Sequence, residues 1–166
     1  TSPEHLFGMF GLECAGQDYV FGTAPRPVSR RRVGIEMRAD ARWQWKRWGR
    51  YPDLIERLRD EGLDVFVFVQ RDDLHDFIAD VNGCGVVVTV DTLTMHVALA
   101  LQKRVIAVFG PTSAPEIHGY GRLTKVVSPI ECISCYLRTC DKSPNCMDLI
   151  PLDRLRDEVL RAAGEP

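Results

Sequence analysis

The sequence predicts an α/β domain with a parallel sheet and helices on both of its faces. Three observations predict it. Short β-branched runs alternate along the chain with stretches of helical periodicity. One of those runs, Val65–Val69, is apolar without interruption, as a strand covered on both faces requires, and Val86–Val90, four valines around Thr89, reads as another buried strand. The chain has 166 residues, 45% hydrophobic and 27% charged, which suits one domain with a real core. Strand–helix alternation selects right-handed crossovers and a Rossmann-like layering.

The elements follow in order. Residues 1–25 carry Gly8, Gly11, Gly16 and Gly22 with little periodicity. They read as a connecting segment with a short helix near Pro3–Phe10, and Pro25-Arg26-Pro27 punctuates before the body begins. Val33–Glu36 is the first strand. Tyr51–Glu61 places Leu54, Ile55 and Leu58 at helical spacing, with Gly62 as its stop. Val65–Val69 follows as a strand, then a helix over Asp72–Val81 with Leu74, Phe77, Ile78 and Val81 inward. Val86–Val90 is a buried strand, Thr94–Leu101 a helix, Val105–Phe109 a strand and Lys125–Val127 a last short one. After Pro151, Leu152–Ala162 is an amphipathic terminal helix. No repeat or low-complexity tract is present.

Charge is unevenly spread beneath a net −2. Residues 26–50 hold nine Lys/Arg against Glu36 and Asp40, a local +7, while residues 1–25 carry −3. The total argues against nucleic acid as a partner. The basic stretch suits an anionic ligand, or is a solvated face. Its Trp43, Trp45 and Trp48 fit packing better than binding, Trp48 above all. No run of about 18 apolar residues exists to span a membrane, and no secretory-signal pattern is recognised. There is no G-x-G-x-x-G and no G-x-x-x-x-G-K-[ST], so neither a dinucleotide fingerprint nor a P-loop is expected.

In an open parallel sheet ligands bind beyond the carboxyl ends of the strands. The third strand ends in Asp91-Thr92, either of which suits the helix N-cap. The amides of Leu93, Thr94 and Met95 then face outward at the positive helix end, a place for phosphate oxygens. His96 on the first turn adds a hydrogen bond or packs inward. The fourth strand ends in Gly110-Pro111-Thr112-Ser113, where Gly110 permits close backbone approach and two hydroxyls follow. His118-Gly119-Tyr120-Gly121 flanks a base or sugar, or is a simple turn. Lys46 can reach a diphosphate as a point charge.

Four of the six cysteines lie together as C-x2-C-x4-C-x5-C: Cys132, Cys135, Cys140 and Cys146. Four thiolates suit a closed, structural tetrahedral ion, zinc or iron. Two disulfides or four free thiols are the alternatives. Cys14 and Cys84 read as small hydrophobes.

The run Val87-Val88-Thr89-Val90-Asp91-Thr92, then Met95-His96-Val97-Ala98, then Val105–Phe109 with Gly110-Pro111-Thr112, resembles glycosyltransferase family 9, the ADP-heptose:lipopolysaccharide heptosyltransferases. Lys46-Arg47-Trp48 matches its K-x-W motif, Gly119-Tyr120-Gly121 its glycine loop, and the cysteine spacing a cluster found in many members. The resemblance covers roughly residues 28–163 and implies the carboxyl-terminal half of a two-domain GT-B enzyme. It implies that Lys46, Asp91, Thr92, Leu93, His96, Gly110, Pro111 and Thr112 line the site of a nucleotide-sugar donor such as ADP-heptose. It also implies displacement at the anomeric carbon without a catalytic metal, toward a glycan or lipid-linked acceptor. The catalytic carboxylate is then expected in an amino-terminal domain outside this chain, so that this piece alone is inactive. A cytoplasmic setting, peripheral to the inner membrane face, goes with that role.

On this reading residues 1–27 are the remains of an interdomain connector. Residues 28–166 form the nucleotide-sugar-binding domain with its Cys-rich loop at 132–146. The chain begins at Thr1, as a processed or excised piece would. The +7 segment is expected to face the cleft shared with the other half, and self-association is open. Two departures from the family stand out. Leu93 occupies the place of a glycine, and the short span from Val69 to Asp91 lacks one strand–helix unit. A non-catalytic binding or assembly module of the same fold is therefore the competing expectation.

Overall fold

A computed structural model describes residues 8–11, 13 and 22–164. Five strands, β1 (Arg32–Ile35), β2 (Asp64–Val67), β3 (Val86–Val90), β4 (Arg104–Phe109) and β5 (Leu123–Val127), form one sheet in the order β2-β1-β3-β4-β5. Every pairing is parallel. Four helices connect or cover them: α1 (Tyr51–Asp60), α2 (Leu74–Asn82), α3 (Leu93–Ala100) and α4 (Leu152–Gly164). A six-residue 3-10 segment, Ala41–Lys46, lies between β1 and α1.

Residue alternation in the strands splits the core into two layers. Val86, Val88 and Val90 of β3 point with Val33, Ile35, Ile106 and Val108 to a layer closed by α1 and α4. Val87 points with Val105, Ala107 and Phe109 to the opposite layer, closed by α2 and α3. Each helix offers an apolar stripe to its layer: Leu54 and Leu58 from α1, Leu155 and Val159 from α4, Ile78 and Val81 from α2, Met95 and Leu99 from α3. Trp48 is 2% exposed, stands edge-on to Tyr51 and donates its indole N–H to the Ile150 carbonyl. That tryptophan is core, as its position before an amphipathic helix suggests.

Sequence and structure differ in two places. The Val65–Val69 run forms only the four-residue β2, which is an edge strand and half-buried. It pairs with β1 on one side and with no strand on the other among the described residues, so an apolar run did not mean a central position here. Leu74, expected inward, starts α2 and is 57% exposed. The chain passes from β2 through α2 directly to β3, so the sheet stops at β2 where a further strand–helix unit would have extended it. The helix expected near Pro3–Phe10 falls mostly outside the described residues.

The turn from Ser29 into β1 presses against Gly85 at the entry to β3. A Cβ on Gly85 would lie 2.4 Å from the Ser29 carbonyl oxygen and 2.7 Å from Arg30 Cα, both backbone atoms that cannot step aside. Gly85→Ala is therefore expected to cost about 1–3 kcal/mol. Urea unfolding measures it, and an unchanged midpoint would show that the entry to β3 yields.

Candidate functional site

The strand order reverses direction between β1 and β3: from β1 the chain moves outward to β2, then returns past β1 to β3. In such sheets the loops leaving those two strands part to opposite faces and open a crevice at their carboxyl ends. A cavity of about 570 Å³ occupies that position, with Glu36, Arg38, Trp43, Lys46, Asp91 and Leu93 among its lining residues.

Its floor is a buried carboxylate. Glu36 directly follows β1, is 3% exposed, and anchors its own amide on the Val88 carbonyl at 2.9 Å. Arg38 grips it in a fork, with Nε 2.8 Å from Oε1 and Nη2 2.7 Å from Oε2. The Arg38 amide and the Thr94 hydroxyl also donate to it. The fork raises the Arg38 pKa above its ordinary value, and Arg38 Nη1 carries the contact onward to Gln70. Burial next to Glu36 holds the Tyr51 phenol well above the usual tyrosine range.

Lys46 and Asp91 close one side. The Lys46 ammonium donates to the Asp91 carbonyl at 3.0 Å and to its carboxylate at 3.3 Å, and stands 4.9 Å from the Trp43 ring centre. Both side chains are largely shielded from solvent. His96 Nε2 lies 3.9 Å from the other Asp91 oxygen. Asp91 is thus engaged by the lysine, and the N-cap of α3 is Thr92, whose side chain makes no capping bond. The Thr92 hydroxyl pairs with that of Thr89 at 3.0 Å. In the first turn of α3 the Met95 amide donates to the Thr92 carbonyl, while those of Leu93 and Thr94 find no acceptor among the described residues. Two amides at a helix N-terminus beside a lysine form an anion cradle. Leu93 itself lines the cavity and is 59% exposed.

The structure therefore brings Lys46, Asp91, Thr92 and Leu93 together at the cavity, with His96 beside Asp91. Gly110, Pro111 and Thr112 are buried and do not line it. Gly110 does serve a close approach, but of protein: a Cβ there would meet Cys146 Sγ at 2.7 Å and Met147 Sδ at 2.8 Å. The carbonyls of Gly110 and Pro111 accept from the amides of Ser134 and Tyr136, which locks the cysteine loop onto this turn. Tyr120 and Gly121 sit before β5, at the amino end of the sheet, and take no part in this cavity. Glu36 and Arg38 were missed as site residues by sequence reasoning. A carboxylate placed directly after a strand of a Rossmann-like sheet was the available signal.

The four loop cysteines are free thiols. They lie near one another: the Cys146 thiol is held up by burial first, then by Cys135, Cys140 and Cys132. Lys142 Nζ is 3.3 Å from Cys132 Sγ. As placed, however, no group of three or more His, Cys, Asp or Glu among the described residues is arranged to hold a metal ion. No helix is long and apolar enough to cross a membrane.

The sequence model described as Glycosyltransferase family 9 (heptosyltransferase) matches residues 69–145. No curated protein is matched by sequence. Among solved structures, the E. coli heptosyltransferase WaaC with ADP-2-deoxy-2-fluoro heptose superposes with a TM-score of 0.59 at 17% identity, covering 86% of this chain and 45% of that one. E. coli ADP-heptose lps heptosyltransferase II gives 0.58 at 20% identity, covering 98% and 52%. The iron-containing dodecameric glycosyltransferase TibC from enterotoxigenic E. coli gives 0.65 at 14% identity, covering 84% and 48%. This chain thus spans about half the length of each.

The Glu36 fork makes a prediction. Glu36→Ala leaves the Thr94 hydroxyl and the Arg38 fork without their acceptor and is expected to cost about 1–3 kcal/mol. Glu36→Gln, which keeps an acceptor oxygen, is expected to cost less. Thermal unfolding of the two variants compares them, and equal stability of both with the parent would mean the fork carries no weight.

Proposed function

We propose, for a chain whose fold is that of glycosyltransferase family 9, that residues 28–166 bind the nucleotide-sugar donor of a glycosyl transfer. Residues 1–27 are then an interdomain connector. The observation that carries this reading is the Lys46–Asp91 contact at the first turn of α3, in the crevice where the strand order reverses. A diphosphate entering there meets two outward amides and one lysine. It competes with Asp91 for the Lys46 ammonium, and His96 adds a hydrogen-bond donor within reach of the same carboxylate. When the bond from the anomeric carbon to the diphosphate breaks, negative charge grows on the leaving diphosphate. Amides and a cation fixed in advance stabilise that charge without reorganising. Asp91 is occupied by Lys46, and a second carboxylate to activate the acceptor hydroxyl belongs to the partner half of a two-domain enzyme.

Heptosyl transfer from ADP-heptose to a lipopolysaccharide-type or other glycan acceptor is the favoured form of the reaction. One of the similar structures is a heptosyltransferase with ADP-2-deoxy-2-fluoro heptose, and another is an ADP-heptose lps heptosyltransferase. A cytoplasmic enzyme peripheral to the inner membrane face suits such an acceptor. Gly110 and Pro111 seat the cysteine loop by accepting the Ser134 and Tyr136 amides, and its Cys146 and Met147 pack on the α1/α4 layer. For that loop, Cys132, Cys135, Cys140 and Cys146 are the candidate ligands of a structural zinc or iron ion. Four thiols around one turn support this, and it requires their side chains to reorient from the arrangement described above.

A second reading rests on Leu93. An exposed side chain lining the same cavity suits a domain that has lost donor chemistry and serves in assembly. The two readings separate by calorimetric titration of ADP, UDP and GDP into the protein joined to its partner half. On the enzymatic reading one nucleotide binds, Lys46→Ala weakens it about tenfold, and Leu93→Gly leaves it equal or tighter. Binding of none of the three nucleotides would remove the enzymatic reading. For the cysteine loop, elemental analysis should find about one zinc or iron per chain, lost together in Cys135→Ser. A metal-free protein that is fully folded excludes the ion.

A further inference from the structure

The opposite end of the sheet holds a second cavity, of about 580 Å³, that the reading above leaves unused. It lies at the amino ends of the strands, so a sheet of five-residue strands, about 15 Å, separates it from the crevice. Its lining includes Arg26, Arg30, Lys103, Arg104 and Arg122 and, among the described residues, no carboxylate. Among the described residues this is a concave surface of one sign of charge.

Lys103 is the informative member. It is 4% exposed. Two of its three ammonium protons are used on carbonyls, those of Arg26 at 2.8 Å and Asn82 at 2.9 Å. Nothing anionic among the described residues compensates the charge. Burial lowers its pKa, Arg26 lowers it further, and the opposing influence comes from Cys84. The Cys84 thiol is itself pushed up to about 11 by burial, so it is neutral near pH 7. A buried cation without a counter-charge is costly.

The wall around it is built. Asn82, 3% exposed, accepts the Arg26 amide on its side-chain oxygen at 2.8 Å and donates its side-chain amide to the Ala24 carbonyl at 2.9 Å. Lys103 ties the same segment from the other side. The Arg26 backbone is thereby fixed at the cavity, which Arg104 also lines, and Arg104 forms no ion pair among the described residues. Arg30 and Arg122 line the cavity and have contacts of their own.

We propose that this amino-end cavity is a binding site for a phosphate-bearing anion, distinct from the donor crevice. A phosphoryl or diphosphoryl group supplies the missing counter-charge for Lys103 and accepts forked hydrogen bonds from Arg26 and Arg104. The chemistry is shared by a free phosphorylated metabolite and by the headgroup of an anionic lipid.

Two arms of one experiment separate those sources. Inorganic pyrophosphate is titrated into the 166-residue chain and amide shifts are followed at Lys103, Arg104 and Gly121, apart from those at Leu93 and Thr94. In parallel, the chain is sedimented with phosphatidylglycerol vesicles. Saturable shifts at the first three amides, weakened about tenfold in Arg104→Gln and kept in Lys46→Ala, support a site for the free anion. Vesicle binding lost in Arg104→Gln, without a pyrophosphate response, supports a headgroup site. Arg26→Gln repeats either test should Arg104→Gln fail to fold. Response at Leu93 and Thr94 alone, response insensitive to both substitutions, or no response in either arm overturns the proposal. Failure at Leu93 and Thr94 alone would instead count against the donor crevice.

Discussion

Everything at the carboxyl end of the sheet depends on β1 lying beside β3. Val33, Gly34 and Ile35 are in register with Val86, Val87 and Val88, and the Glu36 amide continues the ladder onto the Val88 carbonyl. The pairing is forced by burial. All five residues of β3 are buried, so β3 must be interior, and valines on both of its faces need helices on both sides. With β3 interior and β2 at the edge, the loops after β1 and β3 leave side by side. Glu36 then reaches Thr94, and Lys46, carried on the 3-10 segment after β1, reaches Asp91 after β3.

The same pairing divides the basic stretch. Residues 26–50 carry a local +7, and the sequence suggests one binding face. Yet β1 runs through the middle of the stretch, so its two halves emerge at opposite ends of the sheet. Arg38 and Lys46 sit at the carboxyl end, on Glu36 and Asp91. Arg31 and Arg32 bond to Gly62 and Asp64 near the amino end, where Arg26 and Arg30 also lie. Charge counted along a chain becomes two fields when a strand separates the charges.

Much of the architecture was legible because it rests on local pattern. The strands β1, β3, β4 and β5 and all four helices follow from apolar periodicity, and the role of Trp48 from its place before an amphipathic helix. What was not legible depends on neighbours in space. Val65–Val69 reads as a buried strand, but its position in the sheet is set by whether another strand exists to cover it. Leu74 fits the helical stripe, yet as the first residue of its helix it is left exposed at the cavity. Gly110 reads as an opening for a ligand, and the space is filled by Cys146 and Met147 from a loop more than thirty residues on. Glu36 escaped notice since a single carboxylate after a strand carries no spacing signal, and its partner Thr94 is 58 positions away.

The proposed diphosphate site lies in the β1/β3 crevice, at Lys46 and the first turn of α3. A crystal structure of the protein with ADP tests it most directly. The diphosphate is expected at the Leu93 and Thr94 amides, with the Lys46 ammonium turned from Asp91 onto a phosphate oxygen. A nucleotide found elsewhere, with the Lys46–Asp91 contact intact, would contradict it.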